Sequence, residues 1–176
     1  MSPRVMKSET VFRGRAFNVR LDEVEYAPGR VTRLEIVEHV GAVTMVPVDD
    51  QGRLWFIRQY RHAIGQELLE LPAGTLHDGE DPAAGAAREL QEEIGMRAGR
   101  LERLASFWLA PGYSTELMHA FLATDLQPAP LPPDDDESIS AAPLSAADAL
   151  AAVARGEVRD AKSLAALFAA ARRLGW

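Results

Sequence analysis

Between Gly74 and Met96 the chain reads GTLHDGEDPAAGAARELQEEIGM, and Glu89, Glu92 and Glu93 stand there at i, i+3 and i+4. Residues three and four apart share one face of a helix. The spacing therefore predicts three carboxylates in one tight cluster. Like charges that close repel and destabilise the helix that carries them. A divalent cation relieves the repulsion, and hard carboxylate oxygens suit Mg²⁺ or Mn²⁺.

The helix carries its own start and stop. Asp81 is placed to cap it, and Pro82 sits at the first position, where a missing N–H is harmless. Ala83 to Arg88 is mostly alanine, a strong helix former. Gly95 suits the left-handed residue that closes a helix. Gly85, in the interior, is unfavourable by roughly 0.5–1 kcal/mol relative to alanine, which implies close packing against another element.

These residues resemble the Nudix box, Gly-x5-Glu-x7-Arg-Glu-U-x-Glu-Glu-x-Gly-U, where U is bulky and aliphatic. Its defined positions are occupied by Gly74, Glu80, Arg88, Glu89, Leu90, Glu92, Glu93, Gly95 and Met96. Flanking segments extend the resemblance to the ADP-ribose pyrophosphatase subfamily. They are Arg58-Gln59-Tyr60-Arg61, Glu70-Leu71-Pro72-Ala73-Gly74, and Pro111 with Ser114, Thr115 and Glu116 after it. Gly156-Glu157-Val158 followed by Asp160-Ala161-Lys162 resembles that group's C-terminal helix junction.

The resemblance implies metal-dependent hydrolysis of the pyrophosphate bond of ADP-ribose, to AMP and ribose 5-phosphate, or of a related nucleoside diphosphate sugar. Other Nudix specificities (dinucleoside polyphosphates, NADH) and a non-catalytic ligand-binding module are the alternatives. Glu89, Glu93 and the Ala73 carbonyl are implied ligands of Mg²⁺ or Mn²⁺, with Glu92 a third ligand or an outer partner. Glu80 is expected to brace the loop, and Arg88 to pair with a box carboxylate. The general base is left between Glu137, Asp135 and Glu92. Glu137 matches the second of two glutamates on an acidic loop, and Asp135 stands one methylene short of the first. Arg61 is the first candidate for a substrate phosphate or ribose, and Arg58 the second. Pro111 marks the ADP-ribose group. Glu35 resembles a position that reaches substrate from a partner subunit, although Leu34 departs from the polar residue usual before it. Phe17, Tyr60 and Tyr113 are possible stacking partners, with core or interface packing the simpler role. Trp55, Phe107 and Trp108 are expected in the core.

Strand-like segments run over Val11–Phe17, Asn18–Tyr26, Val31–His39, Gly41–Val48, Arg53–Gln59, Glu67–Leu71, Leu101–Leu109 and Glu116–Leu126. Gly41–Val48 is continuously apolar, the mark of a strand buried on both faces. Helices are predicted from Ser145 to about Arg155 and from about Ala161 to Leu174. The pattern is an α+β plan. It agrees with the Nudix α/β/α sandwich and its mixed sheet, here a domain over residues 40–176. A small N-terminal β-region, residues 1–39, is expected to serve dimerisation, since its apolar residues exceed what one core needs.

Composition narrows the partners. The net charge of −7 argues against a nucleic-acid backbone as ligand, which calls for a basic face. It leaves room for a small phosphorylated substrate, because bound cations invert the local charge. The absence of cysteine removes disulfides and thiolate chemistry. The first ten residues, MSPRVMKSET, hold no apolar stretch, so a cytoplasmic setting is the default expectation.

Overall fold

A computed structural model describes residues 2–132 and 138–175. The chain divides into two compact units, Met1–Gly41 with Trp108–Leu117, and Ala42–Phe107 with Met118–Trp176. The first unit is built on an antiparallel three-stranded sheet of β1 (Arg4–Arg13), β2 (Asn18–Ala27) and β3 (Arg30–Glu38). The predicted strand Val11–Phe17 is interrupted: β1 ends at Arg13, and a turn closes with the Gly14 amide donating to the Phe17 carbonyl (3.1 Å). A side chain at Gly14 would collide with that carbonyl, which explains the glycine.

Among the described residues, the second unit contains two sheets, three α-helices and a short 3-10 turn at His62–Ile64. Strand β4 (Ala42–Pro47) lies parallel to β9 (Leu117–Pro128) and antiparallel to β7 (Ala73–Thr75), and β8 (Met96–Trp108) completes a mixed sheet in the order β7-β4-β9-β8. The other sheet is β10 (Ile139–Leu144), β5 (Leu54–Arg61) and β6 (Gln66–Glu70), in the order β10-β5-β6.

Side-chain alternation explains the layering. On β4, Val43 and Met45 pack with Leu76 and with Ala86, Leu90 and Ile94 of the helix α1 (Pro82–Glu93) and its cap. Val46 points the other way, into a core with Ala149 and Ala152 of α2 (Ala146–Ala154) and Ala166, Leu167 and Ala170 of α3 (Ala161–Leu174). Strand β9 divides likewise, with Phe121 and Ala123 on the α1 side and Ala120 and Leu122 on the other. All six residues of β4 are buried, as the unbroken apolar run requires.

Three elements differ from the sequence reading. Strand β7 has the composition of a loop, and only its pairing of Ala73, Gly74 and Thr75 with Thr44, Val43 and Ala42 makes it a strand. Strand β10 was not anticipated: Ile139–Leu144 pairs at a sheet edge with β5, where Pro143 is tolerated. Strand β8 begins five residues before Leu101. Gly99 hides its start, yet a side chain there would meet Asp125 Cβ at 2.9 Å, so the glycine permits a close crossing. Phe107 and Trp55 pack against the two cores, but Trp108 is 53% exposed and fills neither. Phe17, Tyr60 and Tyr113 are exposed too, so none is core.

The end of β6 is tied to α3 by charge. Glu70 is 1% exposed and accepts from Arg61 Nε (2.9 Å) and Nη2 (2.7 Å), and also from Lys162 Nζ. Lys162 in turn reaches Asp160 Oδ1 (2.9 Å), at the cap of α3. Burial by itself raises the Glu70 pKa, but the bonds and charges of Arg61 and Lys162 outweigh it and hold the carboxyl below its ordinary value. A depressed carboxyl pKa stabilises the fold above the unfolded-state value, and that contribution is lost as pH falls through the folded-state value. Glu70→Gln should therefore cost about 3 kcal/mol near neutral pH, because it takes from Arg61 and Lys162 the buried carboxylate that they share. Urea unfolding of both proteins from pH 7 to pH 3 should show the difference shrinking below about pH 4.5. A gap that stays constant to pH 3 counts against the ion network.

Candidate active site

Helix α1 brings the acidic cluster together. The Asp81 carboxylate accepts from the amides of Ala83 (3.0 Å) and Ala84 (3.2 Å), and Pro82 holds the first position. Gly95 at φ 69° closes the far end. The buried residues Gly85, Ala86, Glu89, Leu90 and Glu93 form one stripe, so two carboxylates share the face that anchors the helix to β4 and β7. Gly85 lets the helix pack closely there, since a Cβ would lie 2.6 Å from Leu76 Cδ2 and that side chain would have to shift.

Carboxylates on a buried face need compensation. Arg88 supplies much of it. Its Nη1 donates to Glu89 Oε1 (2.7 Å) and Glu92 Oε2 (2.8 Å). Its Nε and Nη2 donate to the two Glu80 oxygens (3.2 Å each), and Nη2 also reaches the Thr75 carbonyl (3.2 Å). Burial opposes the guanidinium charge, but Glu80, Glu89 and Glu92 overcome this and raise its pKa above the ordinary value. The Arg88 bond lowers the Glu80 pKa, assisted by the His77 amide, which donates to Glu80 at 2.9 Å. Glu80 thus braces the loop, and one cation ties it to two carboxylates of the helix.

The loop before the helix presses its backbone into the same cluster. The Ala73 amide donates to Glu93 Oε2 (2.8 Å). Gly74 lies so close to Glu89 that an added Cβ would fall 1.8 Å from Oε1. The site accepts glycine alone at that position if Glu89 keeps its place. Glu89 and Glu93 therefore meet the Ala73–Gly74 backbone, and Glu92 joins Glu89 through Arg88. Among the described residues, no three acidic or histidine side chains already converge as an ion cage. Glu89 and Glu92 are turned to Arg88, and Glu93 to the Ala73 amide.

Arg61, at the end of β5, is engaged by Glu70 at the root of this loop. Arg58 lies on the exposed side of β5, 3.6 Å from Glu67. Glu35, opposite Leu21 on β3, and Pro111, exposed in a turn, belong to the first unit. Asp135 and Glu137 lie outside the described residues. Sequence reasoning did not single out Thr44 or Ser163, and it named Glu70 and Lys162 only within resembling segments, not as a buried pair. The available signals were a charge inside the otherwise apolar segment Leu68–Leu71 and the lone hydroxyl in Ala42–Val48.

Comparison with known proteins fits this geometry. The NUDIX domain family matches residues 38–167. An ADP-ribose pyrophosphatase of Bacillus subtilis (strain 168) is 34% identical over 169 residues, spanning 95% of this chain and 91% of that protein. An ADP-ribose pyrophosphatase of Mycobacterium tuberculosis is 38% identical over 169 residues, spanning 93% and 81%. A crystal structure of an ADP compounds hydrolase superposes with a TM-score of 0.88 at 29% identity, covering 99% of this chain and 95% of its own. With its box helix, its mixed sheet between helices and these relatives, the chain belongs to the Nudix family and is an enzyme of its pyrophosphatase group.

Proposed function

We infer that the enzyme hydrolyses the pyrophosphate bond of ADP-ribose, or of a closely related nucleoside diphosphate sugar, with Mg²⁺ or Mn²⁺. The observation that carries the reading is the box helix with Glu89 and Glu93 buried on one face against the Ala73–Gly74 backbone. Substrate choice is supported by the relatives named ADP-ribose pyrophosphatase, which align over most of their own length.

The donor set suits a hard divalent cation: carboxylate oxygens of Glu89, Glu92 and Glu93, with the Ala73 carbonyl from the loop. When bound, such an ion lowers the pKa of a water and offsets charge growing on phosphate oxygens. The residues themselves do the placing. Arg88 fixes the rotamers of Glu89 and Glu92, and Gly74 leaves room for Glu89 beside the backbone. Glu93 is held by the Ala73 amide. A carboxylate must take the proton of the attacking water, and Glu137, Asp135 and Glu92 are the groups proposed. Arg61 and Arg58 are proposed for substrate phosphate or ribose, Glu35 for a contact from the partner subunit, and Pro111 for the ADP-ribose preference. The reading assumes a cytoplasmic setting. No helix among the described residues is long and apolar enough to cross a membrane.

Assaying ADP-ribose, other ADP-sugars, diadenosine polyphosphates and NADH with each metal tests the substrate. ADP-ribose should give the highest kcat/KM; another leader overturns that choice. In the same assay Glu89→Gln and Glu93→Gln should each lower kcat by about 10²-fold or more, ~2.7 kcal/mol of transition-state stabilisation.

For the base, Glu137→Gln should lower kcat by roughly 10²–10⁴-fold with little change in KM. Asp135→Asn should cost less, its side chain being shorter. If Asp135→Asn is the more damaging, it is the base; if both stay near wild type, catalysis rests on the box glutamates.

We also propose a homodimer formed through the first unit. Val5, Met6, Val11, Phe12, Tyr26 and Val31 are all exposed on its three strands, more apolar surface than a small sheet keeps in water. Light scattering at micromolar concentration should give twice the chain mass of 19.2 kDa. A monomer mass refutes it.

A further inference from the structure

Ser163 is fully buried in the first turn of α3, on the face that carries Ala166, Leu167 and Ala170. A hydroxyl among such neighbours is tolerated when it is hydrogen-bonded. Its Oγ accepts from the Leu71 amide at 2.8 Å, across 92 residues of sequence. Leu71 is the first residue of the segment Leu71-Pro72-Ala73, which runs from β6 to the acidic cluster. Pro72 has no N–H, so this segment offers two amide donors. The Leu71 amide goes to Ser163, and the Ala73 amide goes to Glu93 (2.8 Å). Between them, the Pro72 carbonyl accepts from the Met45 amide (2.9 Å) and Thr44 Oγ1 (3.1 Å).

Three consecutive residues are thus held by three different elements: α3, β4 and α1. Lys162, beside Ser163, bonds the Glu70 carboxylate, so the first turn of α3 grips Glu70 and Leu71 together. The Asp160 cap holds that turn in place through the Ser163 amide (3.0 Å).

We propose that Ser163 is a positioning residue for the active site: by holding the Leu71 amide it sets where the Ala73 carbonyl stands relative to Glu89 and Glu93. This rests on the reading of Ala73, Glu89 and Glu93 as cation ligands. Losing the Oγ frees the loop at one end and leaves the Leu71 amide without its acceptor. The Ala73 backbone is then positioned only by β4 and the Glu93 bond, with its third anchor gone.

Mn²⁺ binding to the protein alone, followed by electron paramagnetic resonance of the free ion, reads this without turnover. Ser163→Ala should bind Mn²⁺ about 10–100-fold more weakly, the usual cost of losing an outer partner that orients a metal ligand. At saturating Mn²⁺, kcat should fall more than KM rises. Leu167→Ala is the structural control: it removes core packing from the same helix and leaves the Leu71 bond intact, so its folded form should bind Mn²⁺ like wild type. Should Ser163→Ala fail to fold, Ser163→Cys places a weak sulfur acceptor at the same point and carries the same comparison. Wild-type Mn²⁺ affinity in the Ser163 variant, with affinity lost in Glu93→Gln, overturns the positioning role. So does equal weakening in Leu167→Ala. Wild-type affinity in Glu93→Gln itself overturns the ligand reading instead, and the two failures are told apart in one titration series.

Discussion

Everything at this site depends on holding carboxylates close together on a buried helix face. Glu89 and Glu93 are one turn apart on the stripe by which α1 packs, where water screens them little. Their mutual repulsion opposes the packing that Leu90 and Ala86 favour. Arg88 offsets part of it by spanning Glu80, Glu89 and Glu92, and the Ala73 amide offsets more by donating to Glu93. The arrangement keeps carboxylate oxygens of the helix beside the backbone of the Ala73–Gly74 loop. Gly74 and Gly85 follow from the same constraint, because each stands where a Cβ would displace a neighbour of the cluster.

The rest of the second unit brings the loop to that helix. Strands β4 and β9 are apolar on both faces, so helices cover them from two sides. The side of β4 that meets α1 carries Val43 and Met45, while Thr44 turns its hydroxyl to the Pro72 carbonyl. One strand therefore supports the helix and the loop at once. The Glu70 network does similar work between β6 and α3. A carboxylate whose pKa burial raises is brought below its ordinary value by Arg61 and Lys162, and these bonds fix the strand end from which the loop departs.

Much of this was legible before the fold. The box helix, its Asp81 and Pro82 start, its Gly95 end, the doubly buried strand and the two C-terminal helices all follow from patterns spanning a few residues. Arg88 as a brace follows from i, i+1 and i+4 neighbours and from Glu80 eight residues away. The misses have two causes. Strands β7 and β10 are weak in β-propensity and exist because β4 and β5 offer them partners. Trp108 looked like core because it is large and lies on a strand, but strand residues alternate and its side faces solvent.

The sequence by itself determined the chemistry: which carboxylates cluster, on which helix face, and beside which glycine. Those relations are set by helical geometry, which is local and periodic. Tertiary structure alone decided that Arg61 and Lys162 meet on Glu70, that Thr44 holds Pro72, and that Ser163 holds Leu71. The partners of those bonds are separated by as many as 92 residues, and no local pattern specifies a pairing at that range. They exist because burial of apolar strands and helices brings these polar groups together, and once buried each must find a partner.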